Sequence, residues 1–237
     1  MKRIAIALLL LTLLCTMMFA AGCGTLEQPE PQDTTTVTET EAPDPVTTPE
    51  DTQSIQVSVD YGAISSRGLS FTSNGDGTCT LSGIGSCVDT CLIIPEKSQS
   101  GDTITSIAAE AFAGNTTIGA VQIPASVTSI GNAAFAGCTS LSYISVVQGN
   151  SAYRDIGGIL YSADMSTLLC IPAGTNMTSI TLTMQVKSIA PRASEGCSNI
   201  ATLLFEGNEA QWKQVVICEG NNILSTLKPT FMKQAGK

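Results

Sequence analysis

The chain contains no histidine among its 237 residues, and only 13% of its residues are charged and 5% aromatic. Without histidine it lacks the commonest general base and the commonest metal ligand of proteins. Charged residues make up about 25% of an ordinary globular protein, so the groups that most enzymes use are scarce here. The net charge of -9 and the isoelectric point near 4.4 also argue against nucleic acid as a partner, because phosphates require clustered Lys and Arg.

The first 22 residues have the pattern of a secretion signal. Lys2 and Arg3 give a basic start, an apolar run covers residues 4–14, and small residues precede Cys23. The run is shorter than the roughly 20 residues that span a bilayer. The sequence Phe-Ala-Ala-Gly-Cys resembles the lipobox of bacterial lipoproteins, which implies a signal peptide over residues 1–22 and lipidation of Cys23. The alternative is an ordinary signal peptide with a chance cysteine.

Residues 23–53 have the composition of a disordered linker, rich in Thr, Pro and Glu, with eight acids and no base. Like charges repel and there is little apolar surface to bury, so this segment should stay extended. Residues 54–237 carry nine bases and twelve acids, so most of the negative charge lies in the linker and says little about a partner. We predict a folded domain over residues 54–228 and a tail over residues 229–237.

The folded part repeats a unit of 23 residues. Ile107 and Ile130, and likewise Phe112 and Phe135, are 23 positions apart. A third copy, residues 186–200, begins 59 positions after the second, which is one repeat plus an insertion of 36 residues. A unit of this size cannot bury its own apolar face, so its neighbours must stack on it. We therefore predict a β-rich solenoid of leucine-rich repeats.

Each unit is predicted to contain one short parallel strand and one short helical turn. Alternation places Ile144 and Val146 of the second copy inward and Tyr143 and Ser145 outward. The sequence Ala-Ala-Phe-Ala-Gly indicates a helical turn that ends at glycine. The phenylalanines of this motif should stack in the core between successive coils.

The sequence Val-Thr-Ser-Ile-Gly-Asn-Ala-Ala-Phe-Ala-Gly-Cys-Thr-Ser-Leu, residues 127–141, resembles the repeat of BspA-like leucine-rich-repeat proteins of bacterial surfaces. The lead-in at 77–87, the hairpin-like insert at 158–172 and the segment 206–212 are similar to parts of the same family. The resemblance implies a secreted or lipid-anchored binding protein whose repeats have no enzymatic activity. The third copy departs from the pattern at two places: Ser194 stands at the position of Phe, and Leu182-Thr183 stands at the position of Ile-Pro. We therefore expect the third copy to be less well packed.

The end of the array has the pattern of a short capping helix. Asn208 is a plausible N-cap, and Gln211 lies at the spacing of a capping box. Trp212 would then cover the open end of the core, which a solenoid has to close.

The outward strand positions are the candidate binding surface. Solenoids bind through such a continuous face, and an uncharged, partly apolar row is what a binding patch should contain. The alternative is that these are ordinary strand residues. The row also includes Cys170 and Thr202, and its candidate ligand-binding residues are Ile93, Gln122, Tyr143, Ser145 and Leu204.

The cysteines, acids and possible nucleophiles of the chain favour a structural role over a catalytic one. Beyond Cys15 and Cys23 there are seven cysteines, an odd number with no Cys-x-x-Cys pair, which favours packing over a zinc site. A disulfide among Cys79, Cys87 and Cys91 stays open as the alternative. No histidine is present to activate a nucleophile, and the acids show no metal-binding spacing, so we expect no catalytic residues, no cofactor and no metal.

These observations predict a non-catalytic binding or adhesion module, lipid-anchored on the outer face of a bacterial cell membrane. Its expected partner is a surface protein or glycan of a host or neighbouring cell. One alternative is a structural protein of the cell envelope without a specific ligand. A second is a small hydrolase or carbohydrate-acting protein, which the absent histidine disfavours.

Overall fold

The computed structural model describes residues 65–232, so Cys23, the linker and most of the tail lie outside the described residues. The first half of the array is built from seven short strands. They are β1 (Ser70–Ser73), β2 (Thr78–Gly83), β3 (Cys91–Ile93), β4 (Thr103–Ile107), β5 (Ala120–Ile123), β6 (Ser129–Ile130) and β7 (Tyr143–Val146).

An insert and the second half follow. The elements are β8 (Tyr153–Ile156), β9 (Ile159–Ser162), β10 (Thr167–Cys170), β11 (Ser179–Leu182), β12 (Ser188–Ile189), β13 (Thr202–Phe205), α1 (Glu209–Trp212), β14 (Val216–Ile217), α2 (Asn222–Thr226) and β15 (Pro229–Phe231).

The strands stack as a β-solenoid with a spacing of about 24 residues between coils. Sheet 1 has the order β1-β2-β4-β6 and sheet 2 the order β3-β5-β7, while sheet 3 is β14-β12-β10-β9-β8 and sheet 4 is β11-β13-β15. Within the described residues this makes six coils, from β2–β3 to β14–β15, and each coil gives one strand to each of two sheets. The sequence predicted one strand per coil. The second strand was missed because strands such as Ser129–Ile130 are too short to show a period of two.

The predicted stacking of repeat positions is confirmed in the core. Ile107 pairs with Ile130 in sheet 1, and Val121 pairs with Ile144 in sheet 2, each at the 23-residue spacing. The rings of Phe112 and Phe135 are parallel within 3°, with centroids 5.4 Å apart. Phe135 is 3% exposed, so the stack lies inside the solenoid.

The motif predicted as a helical turn is a series of tight turns. In the second copy the N–H of Ala136 donates to the carbonyl of Ala133, three residues earlier. Three equivalent residues, Glu110, Ala133 and Arg192, have φ between 57° and 59°. A residue in this left-handed region breaks the run of helical dihedrals, which is why no α-helix forms.

The fourth coil lacks this turn. Twelve residues connect β4 to β5, β6 to β7 and β12 to β13, but only eight connect β10 to β11. The turns of the third and fifth coils therefore meet directly, and the N–H of Gly137 donates to the carbonyl of Glu195 at 3.2 Å. Arg192 of the fifth coil forms ion pairs with Glu195 and with Glu110 of the second coil.

A buried polar pair replaces phenylalanine in the fifth coil. Ser194 and Asn221 are each 2% exposed, and the Ser194 N–H and hydroxyl both donate to Asn221 Oδ1, at 2.9 and 3.0 Å. Asn221 Nδ2 donates to the carbonyls of Ala190 and Cys218. At the second departure from the repeat pattern, Leu182 is fully buried, and the buried hydroxyl of Thr183 has no hydrogen-bond partner. At Ser194 hydrogen bonds take the place of the missing ring.

The predicted capping box is present on α1. Asn208 accepts a hydrogen bond from the Gln211 N–H, and the Gln211 side chain accepts one from the Asn208 N–H. The Trp212 ring meets Phe205 edge-on, with centroids 5.2 Å apart. Trp212 does not end the solenoid, however, because one more coil follows it. The last strand of that coil, Pro229–Phe231, also lies beyond residue 228, where the sequence placed the end of the domain.

Candidate functional site: two uncharged strand faces

Three of the five candidate residues form one row on sheet 2. Ile93 is in register with Gln122, and Gln122 with Ser145. All three are partly exposed. The row lies across the three parallel strands at the spacing of about 4.8 Å that separates neighbouring strands. The sequence pattern therefore placed these side chains on a common face, as the structure shows.

Tyr143 belongs to the same sheet but to the next row. Its register partner is Ala120, which in turn pairs with Cys91. The Tyr143 ring packs against Gly158 in the turn of the insert, where an added Cβ would lie 2.6 Å from the ring. Gly158 also has φ of +85°, so both the space and the backbone require glycine. Tyr143, which the sequence predicted to point outward, is therefore partly covered by the insert and partly exposed.

Leu204 lies on a different sheet from the other candidates. It occupies sheet 4, in register with Thr181 and Thr230. Cys170, which the sequence placed in the same outward row, is only 5% exposed. Cys170 belongs to β10, which lies in sheet 3 and not in sheet 2 or sheet 4. The predicted single stripe is therefore two separate faces.

The insert fills the edge of β7 where the next parallel strand would lie. The N–H of Ile144 donates to the carbonyl of Gly158 at 3.1 Å, and the N–H of Val146 donates to Asp155 Oδ1 at 2.9 Å. Burial raises the pKa of Asp155, and the hydrogen bond from Val146 opposes this shift. Asp155 thus supplies an acceptor that a neighbouring strand would otherwise supply.

Two tyrosines of the insert make structural contacts. The hydroxyl of Tyr153 accepts a hydrogen bond from the N–H of Ile130 at 2.7 Å, and burial raises the pKa of Tyr153. Tyr161 is 3% exposed, and burial raises its pKa to about 12. The ring of Tyr161 is therefore not accessible to a partner, whereas Tyr153 is partly exposed.

The cysteines of the core, Cys79, Cys138 and Cys170, are not in disulfides and act as packing residues. The Cys138 thiol donates to the carbonyl of Phe112 at 3.0 Å, and burial raises the pKa of Cys138. Burial likewise raises the pKa of Cys197 to about 11, and the pKa of Cys170 is raised as well. Since the thiolate is the reactive form, these groups are poor nucleophiles and poor metal ligands.

Within the same residues, no group of three or more Cys, Asp or Glu side chains is placed to hold a metal ion. In the part of the chain that the structure describes, no helix is long and apolar enough to cross a bilayer.

The hydroxyl-rich character of the second face was missed from the sequence. Ser179 pairs with Thr202, Thr181 with Leu204, and Leu204 with Thr230, and the four hydroxyl residues are exposed. The signal was present in Ser-Ile-Thr-Leu of β11, where polar and apolar residues alternate. The alternation in β11 did not identify the strand, because Leu182-Thr183 stands at this point in place of the Ile-Pro that ends other strands of the repeat.

Residues 91–162 match the family described as BspA type leucine rich repeat region, in six copies. No curated protein matches the chain. The match establishes the nature of the repeats over those residues.

The chain is similar to several solved structures. The pneumococcal vaccine antigen PcpA is 27% identical, with a TM-score of 0.43 over 45% of this chain and 26% of that one. A leucine rich cell surface protein from Faecalibacterium prausnitzii is 25% identical, with a TM-score of 0.42 over 54% of this chain and 37% of that one. The leucine rich repeat protein of T. pallidum is 18% identical, with a TM-score of 0.41 over 69% and 83%. The chain thus spans about a quarter of PcpA and under two fifths of the Faecalibacterium protein.

Proposed function

We propose, for a chain whose residues 91–162 are BspA-type leucine-rich repeats, that the array is a non-catalytic binding or adhesion module. It recognises a protein or glycan on the surface of a host or neighbouring cell. The lipidated Cys23 holds it on the outer face of a bacterial membrane, and residues 23–53 act as the spacer between the membrane and the repeats.

The observation that carries this proposal is the absence of charge from both strand faces. No Lys, Arg, Asp or Glu occupies an outward position of sheet 2 or sheet 4. The outward residues of sheet 2 are Cys91, Ile93, Ala120, Gln122, Tyr143 and Ser145, and those of sheet 4 are Ser179, Thr181, Thr202, Leu204 and Thr230. A partner that covers such a face does not have to desolvate a charged group, whose burial is strongly unfavourable.

The two faces differ in what they offer. Sheet 2 combines Ile93, Gln122 and Ser145, and this mixture of apolar and hydrogen-bonding groups is typical of the core of a protein interface. Sheet 4 presents mainly hydroxyl groups. We place the principal contact on sheet 2, because Gln122 lies at its centre with a partner strand on either side.

A charge at the centre of sheet 2 tests this assignment. Gln122→Glu should abolish adhesion of cells or beads that carry the full chain, because the partner would have to bury a carboxylate without a counter-ion. Ser129→Glu is the matched control, since Ser129 is exposed on β6 of sheet 1, away from the face. Both variants should keep the circular dichroism of the unmodified protein. Full adhesion by a folded Gln122→Glu protein would refute the role of sheet 2.

The anchor has its own test. Cys23→Ser should release the protein from membranes and remove metabolic labelling with palmitate, whereas Cys15→Ser within the predicted signal should not. Undiminished labelling of Cys23→Ser would rule out lipidation at this cysteine. It would leave the binding role of the repeats standing, so the two parts of the proposal can fail separately.

A further inference from the structure

A groove of about 370 Å³ lies at the N-terminal end of the described array. It is lined by residues of the segment 65–71, which includes the start of β1, and of the segment 95–99, which follows β3. Its volume is within the range of about 300–1,000 Å³ that small-ligand sites occupy. The groove borders the Ile93 end of the row on sheet 2, because Ser66 of its lining is hydrogen-bonded to the backbone of Ile93.

The groove has two positive charges and no negative one among its lining residues. Arg67 and Lys97 both line it and are both exposed. Within residues 65–232 the ion pairs involve Arg192 and Lys213 and neither of these two side chains. The nearby Asp102 accepts a hydrogen bond from the Ser100 hydroxyl at 3.2 Å. The exposed Glu96 is next to Lys97 in the chain but is not one of the lining residues. The charge of the lining itself is therefore positive, which favours an anionic ligand.

The backbone on both sides of Arg67 is held in place. The N–H of Ser66 donates to the carbonyl of Ile93 at 2.8 Å, and the Ser66 hydroxyl accepts the N–H of Ile93 at 3.0 Å. On the other side, the carbonyl of Gly68 accepts the N–H of Ser86 at 2.8 Å. Arg67 therefore projects from a fixed segment, and binding would not have to order the main chain around it.

Lys97 is fixed in a comparable way. It forms an isolated antiparallel bridge with Thr103, and the N–H of the next residue, Ser98, donates to the carbonyl of Asp102 at 2.8 Å. The Ser98 hydroxyl lies 2.8 Å from that of Ser100. Both bases thus stand on lining segments whose backbones are hydrogen-bonded to the array.

The rest of the lining suits a sugar better than a bare ion. Phe71, Leu69 and Pro95 give an apolar surface, while Ser66, Ser98 and Gln99 bring hydroxyl and amide groups. Sugars combine apolar C–H faces with hydroxyl groups that need hydrogen-bond partners. A carboxylate on the sugar could bind the guanidinium of Arg67 through two parallel hydrogen bonds. We propose that this groove binds an acidic sugar unit of a glycan, with Arg67 and Lys97 holding its carboxylate.

The same charge could attract the chain's own linker, which has eight acids and precedes the groove. We favour the sugar because the groove offers both an apolar surface and hydroxyl groups beside its two bases. The linker is the competing occupant, and an experiment can separate the two.

The experiment titrates 3′-sialyllactose into the full chain and follows binding by calorimetry, with lactose as the neutral control. Sialyllactose should bind and lactose should not at the same concentration. Arg67→Gln and Lys97→Gln should each weaken binding about tenfold or more, since a hydrogen bond to a charged group is lost. Arg154→Gln and Lys187→Gln, which remove exposed bases outside the groove, should leave binding unchanged.

A second arm uses the full chain with the eight linker acids replaced by Gln or Asn. Sialyllactose should bind this variant at least as well as the unmodified protein. Equal binding of lactose and sialyllactose, or unchanged affinity in a folded Arg67→Gln protein, would overturn the proposal. Binding seen only after the linker acids are replaced, and lost again with Arg67→Gln, would mean that the linker occupies the groove in the unmodified chain, and it would overturn the sugar as the ligand of that chain. None of these results depends on Gln122, so the proposed role of sheet 2 is tested independently.

Discussion

Arg192 and Glu110 are 82 positions apart in the chain, yet their side chains form an ion pair on the surface of the solenoid. They occupy the same position in the turns of the fifth and second coils, and both have positive φ. The pair exists because the fourth coil lacks its turn, which brings the fifth coil up to the third. Arg192 also binds Glu195 of its own turn, so one guanidinium contacts two carboxylates.

Arg192→Gln should lower the melting temperature at low ionic strength. The variant loses both ion pairs, and the effect should shrink in 1 M salt, where the screening length falls to about 3 Å. Lys213→Gln is the matched control, because Lys213 forms an isolated exposed pair with Glu209 one helical turn away. Such pairs contribute little. Equal melting temperatures for the two variants would mean that the pair with Glu110 does not stabilise the array.

Phe135→Ala should lower the free energy of unfolding by about 3–5 kcal/mol, as expected for a buried Phe. Phe135 is 3% exposed, and its ring stacks on that of Phe112, so the substitution leaves a void between two coils. Thr128→Ala, at an exposed position of the same repeat, should cost under about 0.5 kcal/mol. The measurement is chemical denaturation of both variants. Similar losses at the two positions would contradict the assignment of the core.

Asn221→Ala should lower the free energy of unfolding by more than the small number of removed atoms suggests. The substitution removes the partner of the Ser194 N–H and hydroxyl and of two backbone carbonyls, all close to Asn221 in the interior. Each buried group left without a partner costs about 1–3 kcal/mol. Ser225→Ala, at an exposed position of α2, is the control. If the two variants unfold at the same denaturant concentration, the buried network does not hold the coil together.

Asp155 and Asp164 should respond to pH in opposite directions. Burial raises the pKa of Asp155 above 3.8, so its ionised form opposes folding, and stability is lost as the pH rises through the raised pKa. Asp155→Asn keeps an acceptor for the Val146 N–H without the charge. It should raise the melting temperature at pH 7, and the difference should narrow as the pH falls below 3.8.

Asp164 is the counterpart with a depressed pKa. Hydrogen bonds from the Ser162 hydroxyl, and then from Ser166, lower its pKa to about 2, so its ionised form favours folding. That contribution is present above 3.8 and is lost as the pH falls towards 2. Asp164→Asn should therefore lower the melting temperature at pH 7 and have little effect near pH 2. A change of melting temperature in the same direction for Asp155→Asn and Asp164→Asn at pH 7 would refute these assignments.

The sequence predicted the features that repeat and missed those that occur once. Ile107, Phe112 and their partners 23 residues later share one environment in each coil, so their period predicted the stack. The buried pair of Ser194 and Asn221 has no counterpart in the other coils. No pattern could connect two polar residues 27 positions apart across a coil boundary.

The candidate site was predicted only where the coils are regular. Ile93, Gln122 and Ser145 line up because their strands are parallel and in register. Tyr143 is partly covered because the insert folds back on it. Cys170 lies outside the two faces because its strand, β10, pairs with β9 and β12 and not with the strands of sheets 2 and 4. These outcomes depend on tertiary contacts of a non-repeating segment, which a single-sequence period does not encode.

The insert also takes part in the coupling between the two halves of the array. The buried side chains form two cores, and two neighbouring strands contribute to both. Leu160 of β9 and Cys170 of β10 lie in the first core, and Ile159, Tyr161 and Leu168 lie in the second. In a solenoid each coil couples mainly to its neighbours, so the two cores depend on each other through the strands that meet here. A four-residue strand that belongs to no repeat is therefore part of the junction on which the cooperativity of the array depends. A chain without that strand should unfold less cooperatively, over a broader range of denaturant.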